Sequence, residues 1–227
     1  MTRSVKAPLA AWIACAGALV GLALVAYGID AAQRADATLL TKFIARDGTL
    51  GTPAETIAHL GDPLPLLVML AAACAIALWR GRPLDAAAAV TVVAGANLTT
   101  QVLKVALAHP RFQSVLGHDQ LGPVAFPSGH ATAATSIAIA FLFVVPHEWR
   151  PAVAAAGACF VAAVGCSVMI LAWHFPSDVL GGILVASGWG FAVLALRRIA
   201  EGGGSGRRDE DRGRRAQVAS RPAISVK

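Results

Sequence analysis

The chain has 227 residues, enough for one domain. Hydrophobic residues make up 56% of it and charged residues only 14%, against roughly 25% charged in a soluble domain, and a mean hydropathy of +0.64 excludes a water-soluble globule. The net charge of +6 does not point to nucleic acid, because much of it sits in a mixed tail where Arg207, Arg208, Arg212, Arg214 and Arg215 surround Asp209, Glu210 and Asp211.

The first element is an uncharged run over residues 7–29. It is longer than the ~7–15 residues of a signal-peptide core, so it reads as a membrane span. Residues 30–62 are more polar. Within them Leu39, Leu40, Phe43 and Ile44 recur at helical spacing, which predicts a short amphipathic helix on the membrane surface. Five more uncharged runs follow, at 63–79, 86–103, 131–145, 151–173 and 179–196. Each approaches or exceeds the ~20 apolar residues that cross a bilayer as helix. Strands are ruled out because an open edge would leave backbone polar groups unpaired in lipid. The predicted fold class is therefore all-α, a polytopic bundle of about six transmembrane helices over residues 1–200. Residues 201–227, opened by the glycine-rich stretch 202–206, are expected to be a disordered basic tail. Cys15, Cys74, Cys159 and Cys166 all lie inside apolar runs and read as small apolar residues.

Six spans put both termini on one side. Arg3, Lys6, Arg80, Arg82, Arg150, Arg197 and Arg198 share that side with the tail, so the positive-inside rule predicts cytoplasmic termini in a cell membrane. The longer connections then lie outside, and long loops on one face are where sites are usually built.

Three clusters of chemically capable residues fall on that outer face: KVALAHPRF from Lys104 to Phe112, FPSGH from Phe126 to His130, and SVMILAWHFPSD from Ser167 to Asp178. In the middle cluster Ser128 can cap a helix, Gly129 lets backbone come close to a ligand, and the free amides of the first turn form an anion site beside His130. An ordinary cap with an interfacial histidine would use the same residues. In the third cluster the four-residue offset lets Asp178 reach back to His174. A carboxylate on one ring nitrogen leaves the other nucleophilic, although an acidic helix start is favourable by itself. In the first, Lys104 and Arg111 supply a point charge and a planar fork for phosphate oxygens, while Lys104 could also simply snorkel. Asn97, Thr99, Thr100 and Gln101, earlier in the same helix, are expected to bond between helices.

Taken in order on a six-helix chain, these clusters resemble the type 2 phosphatidic acid phosphatase superfamily, whose pattern is KxxxxxxRP, then PSGH, then SRxxxxxHxxxD. The resemblance spans roughly residues 62–196. It departs at Phe112, where proline is expected, and at Val168, where the pattern has arginine. The resemblance implies that His174 attacks phosphorus to give a phosphohistidine, that Asp178 orients it, and that His130 protonates the leaving oxygen and later activates water. Lys104, Arg111, Ser128, Gly129 and Ser167 would bind the phosphoryl oxygens. No metal or other cofactor is implied, since no carboxylate cluster suited to magnesium lies near the motifs.

The expected activity is removal of a phosphate or diphosphate group from a membrane lipid. Phosphatidic acid, phosphatidylglycerol phosphate and a polyprenyl phosphate or diphosphate are the candidate substrates, and no nucleic-acid partner is expected. A lipid phosphotransferase on the same scaffold, and a non-catalytic lipid-binding or transport protein, are the alternatives. The absent arginine leads to one more expectation: room for an arginine side chain at position 168, with His109 supplying the missing positive charge.

Overall fold

The computed structural model describes residues 4–44, 50–117 and 121–219, with backbone alone over 202–219. All regular structure among them is helical. In chain order the helices are α1 (Lys6–Gly28), α2 (Asp30–Leu40), α3 (Gly51–Ala58), α4 (Pro63–Trp79), α5 (Pro83–Ala106), α6 (Gly129–Val144), α7 (Arg150–Ile170) and α8 (Pro176–Ala219). Four of them are long and apolar enough to cross a membrane. The α3–α4 pair, bent by 53°, passes the same test as one broken span, and α6 is a shorter apolar helix. These are the six runs expected from the sequence.

The boundaries follow local chemistry. Proline stands in the first turn of α4, α5 and α7, where its missing N–H costs nothing and its fixed φ suits the helix. Gly81, at φ +68, makes the left-handed turn between α4 and α5 that a side chain would strain. The predicted amphipathic helix in residues 30–62 is instead two helices. α2 ends at Leu40, and Phe43 and Ile44 pack against the core from the turn that follows. Residues 45–49 lie outside the described ones. At the other end the α8 backbone stays helical to Ala219, past residue 201, where the tail was expected to begin. Residues 220–227 lie outside the described ones.

α6 is the centre of the bundle, packed against α4, α5, α7 and α8. Lipid is as apolar as leucine, so its association with its neighbours needs close backbone approach and interhelical hydrogen bonds. Both are present. A Cβ on Gly157 would come within 2.9 Å of Ala138 Cβ, and one on Gly182 within 2.5 Å of the Ser128 carbonyl, so these helix pairs are closer than any larger residue allows. Thr100 bonds Thr132 at 2.9 Å, Asn97 donates to Ser136 at 3.3 Å, and Trp189 donates to Thr99 at 3.0 Å. Of the four polar residues expected to do this, Gln101 alone faces outward.

Candidate active site

The ends of α5, α6, α7 and α8 meet at one end of the bundle, and they bring the three sequence clusters together. α5 ends just past Lys104. The following loop returns Arg111 over the start of α8. The loop into α6 delivers Ser128, Gly129 and His130, and the turn between α7 and α8 carries His174.

Ser128 caps α6, its Oγ accepting the amide of Ala131 at 3.3 Å, as expected. Its own amide donates to the Asp178 carbonyl at 2.9 Å, which ties the start of α6 to the first turn of α8. The amides of Gly129 and His130 are the open donors of the α6 N-terminus. The Lys104 ammonium faces them: a Cβ on Gly129 would stand 3.8 Å from Nζ. Lys104 is half-buried and makes no hydrogen bond or ion pair with any described residue.

The two histidine rings lie 6.1 Å apart, centroid to centroid. His174 is buried, with Nδ1 3.5 Å from Asp178 Oδ2. That is an ion-pair distance and too long for a hydrogen bond, so Nδ1 is left buried without a hydrogen-bond partner. Asp178, fully buried, is held elsewhere: Oδ2 accepts the Phe175 amide at 2.9 Å, and Oδ1 accepts from Arg111 Nη2. His130 lies between Trp173, 5.5 Å away by centroids, and Asp62, whose Oδ1 is 3.2 Å from His130 Nε2. The other oxygen of Asp62 is 2.7 Å from His59 Nδ1.

Arg111 is engaged on every side. Besides Asp178 it donates to Ser177 Oγ at 2.8 Å and to Asp36 Oδ2 at 3.3 Å. Its guanidinium lies 4.1 Å from the Phe175 ring centroid and 5.3 Å from that of Tyr27, within cation–π range. A phosphate would have to compete with two carboxylates for it. Ser167 is buried in the last turn of α7, and its carbonyl accepts the Leu171 amide at 3.0 Å.

Two carboxylates missed in the sequence complete the arrangement. Asp36, on α2, accepts the Ser177 amide at 3.1 Å and the Ser177 hydroxyl, and so caps α8 from another helix. Burial pushes its carboxyl above the usual range, against the opposing pull of the Ser177 bonds and Arg111. Asp62 stands in the break before Pro63. Neither residue's local sequence signals its partner.

The expectation at position 168 is corrected. Val168 is fully buried in an apolar cluster with Ala37, Leu40 and Phe175. There is no room for a guanidinium, and an unpaired charge there would lose its hydration. His109 does not replace it either. It is exposed, with Nδ1 on the Pro110 carbonyl at 2.7 Å and its ring edge-on to Tyr27.

No curated protein sequence matches the chain. A crystal structure of a transmembrane PAP2 type phosphatidylglycerolphosphate phosphatase from Bacillus subtilis has the same fold, with a TM-score of 0.68 and 23% sequence identity over 82% of this chain and 95% of that one. The profile of the PAP2 superfamily matches residues 85–200, just over half of the sequence and all three clusters, and the chain belongs to that superfamily.

Proposed function

We propose that the protein is a lipid phosphatase working through a phosphohistidine. The observation that carries this is the partnerless Lys104 ammonium facing the open α6 N-terminus, next to a pair of histidines 6.1 Å apart. An unpaired half-buried cation and free amides make an anion site, and the gap between the rings suits a phosphoryl group. The similar fold of a phosphatidylglycerolphosphate phosphatase supports a lipid phosphate as substrate.

In this reading Lys104 and the amides of Gly129 and His130 hold the phosphoryl oxygens. His174 Nε2 attacks phosphorus as the bond to the lipid oxygen breaks. His130 gives its proton to that oxygen, then takes one from the water that hydrolyses the phosphohistidine, and inorganic phosphate leaves. Asp178 steadies the imidazolium through Nδ1. The 3.5 Å separation closes once the substrate draws Arg111 away from Asp178, since catalytic hydrogen bonds often tighten only in the complex.

The test is phosphate release by purified protein from phosphatidic acid, phosphatidylglycerol phosphate and a polyprenyl diphosphate. His174→Ala is expected to abolish release while eluting as folded protein, and near-wild-type release by that variant removes His174 as nucleophile. Asp178→Asn should be milder.

The end carrying His130 and His174 is assigned to the extracytoplasmic face, because Arg80, Arg82, Arg150, Arg197 and Arg198 all mark the opposite end. In a background lacking the native cysteines, Val124→Cys, at an exposed position of the loop before α6, should react with an impermeant reagent in intact cells, as should Asp119→Cys, which lies outside the described residues. Reaction only in broken cells reverses the orientation.

A further inference from the structure

At the end of the bundle away from His130 and His174, α6, α7 and α8 do not close on one another. A cleft of about 690 Å³ lies between them, within the ~300–1,000 Å³ range of small-ligand sites. Its depth is apolar, walled by Leu142, Phe191 and Leu194 among others. A second apolar cleft of about 520 Å³ continues it along the same three helices, sharing Ile139, Leu142, Ala154 and Ser187. The two make one groove running lengthwise along the bundle.

Four arginines line its mouth, and their situations differ. Arg82 pairs with Asp85 at 2.7 Å, and Arg197 pairs with the same carboxylate while lying 5.6 Å from the Phe143 ring centroid. Arg198 donates to the Ser4 carbonyl at 2.7 Å. Arg150 has no hydrogen bond or ion pair with any described residue, and its Nε is shut off from solvent without a partner. A buried donor on a cation left unmade is costly. The groove thus has a charged mouth with one unsatisfied guanidinium and a long apolar floor.

We propose that this groove binds an anionic membrane phospholipid, its phosphate on Arg150 and an acyl chain along α6–α8. Charge complementarity selects the head, because a guanidinium fork suits a phosphodiester. The apolar floor selects a lipid over a free anion, which would leave the rest of the groove uncovered. Glu201 on the rim offers an acceptor to a hydroxyl-bearing headgroup, so phosphatidylglycerol fits better than a zwitterion. The site is roughly 30 Å from Lys104 by the rise of α5 and uses none of the residues placed in the reaction. It stands whether or not the protein is a phosphatase.

Native mass spectrometry of the full chain, delipidated and titrated with phosphatidylglycerol or phosphatidylcholine in detergent, tests it. Wild type should retain phosphatidylglycerol in preference. Arg150→Gln should weaken that retention about fivefold, the worth of one arginine at an anionic surface. Ala158→Phe, about two helical turns from Arg150, fills the groove and should weaken it too, and Arg34→Gln at the other end should not. Equal retention of the two lipids, or wild-type retention by both Arg150→Gln and Ala158→Phe, overturns the proposal. So does uptake of lipid only by a variant with Asp209→Asn, Glu210→Gln and Asp211→Asn and not by wild type, since the chain's own tail would then be the occupant.

Discussion

Replacing Asp36 separates what a carboxylate's hydrogen bonds contribute from what its charge contributes. Asp36 accepts the Ser177 amide and hydroxyl, and meets Arg111 at 3.3 Å. Alanine leaves the first-turn amide of α8 and one Arg111 donor without this acceptor. Breaking a buried pair costs ~3–5 kcal/mol, but Arg111 keeps Asp178 and Ser177, so about 2–4 kcal/mol is expected. Asparagine keeps Oδ1 for the Ser177 amide and can donate its Nδ2 to the Ser177 hydroxyl, but it loses the charge and the oxygen to which Arg111 Nη1 donates. Because burial raises the Asp36 carboxyl, that charge is a net burden on the fold. Its contribution to stability is fully present below the unfolded value, 3.8, and is lost as pH rises through the raised folded value. Asp36→Asn should therefore cost less than Asp36→Ala, about 1–2 kcal/mol at neutral pH, since it keeps the Ser177 contacts and sheds a poorly solvated charge at the expense of one hydrogen bond from a guanidinium. It should also flatten the dependence of stability on pH in that window. Unfolding by SDS in mixed micelles, followed through the five tryptophans, measures all three proteins. If Asp36→Asn falls as far as Asp36→Ala, the charge carries the contact and the reasoning fails.

Val168→Arg should destabilise the protein by several kcal/mol, the effective cost of an ion moved into an apolar interior, and should elute as aggregate, whereas Val168→Ile should not. A folded Val168→Arg with tighter phosphate binding would restore the idea of an open pocket at that position. Asp62→Asn keeps a hydrogen bond to His130 but removes the charge that orients it. A drop in kcat of about tenfold with KM little changed is expected, short of the ~10²–10⁴ that proton transfer itself supplies. An unchanged kcat would make Asp62 a loop contact only.

What was legible in the sequence was whatever is local. Uncharged runs gave the spans, because crossing lipid depends on length and polarity alone. Ser128 could be read as a cap because its partner, the Ala131 amide, is three residues away. Asp36 and Asp62 were not legible. Asp36 meets Ser177 from 141 residues away and Asp62 meets His130 from 68 away, and no local pattern encodes either. Asp62 even stands where a helix cap belongs, before Pro63, yet makes no cap bond. Its side chain turns instead to two histidines. Val168 misled for a related reason. A family position occupied by arginine suggests space, but here the packing of α2 against α8 and of α3 against α7 encloses Val168 in one apolar cluster with Ala37, Leu40 and Ala58.

That packing bears on how the site handles charge. Lys104 and Arg111 are the cations among the described residues around His174, and Asp36, Asp62 and Asp178 are the carboxylates. With neutral histidines the empty site is negative, so a phosphate dianion cannot simply be added to it. Either His130 takes up a proton as the phosphate arrives, with Asp62 at 3.2 Å as its partner, or Arg111 exchanges a carboxylate for the phosphate. Exchange from Asp178 would free that oxygen for His174. Exchange from Asp36 would leave Ser177 to hold it. Asp36→Asn removes one competitor while preserving the cap, so on this reasoning it should bind inorganic phosphate more tightly than wild type. Weaker binding would mean that Asp36 positions Arg111 for phosphate, and that proton uptake at His130 carries the charge compensation.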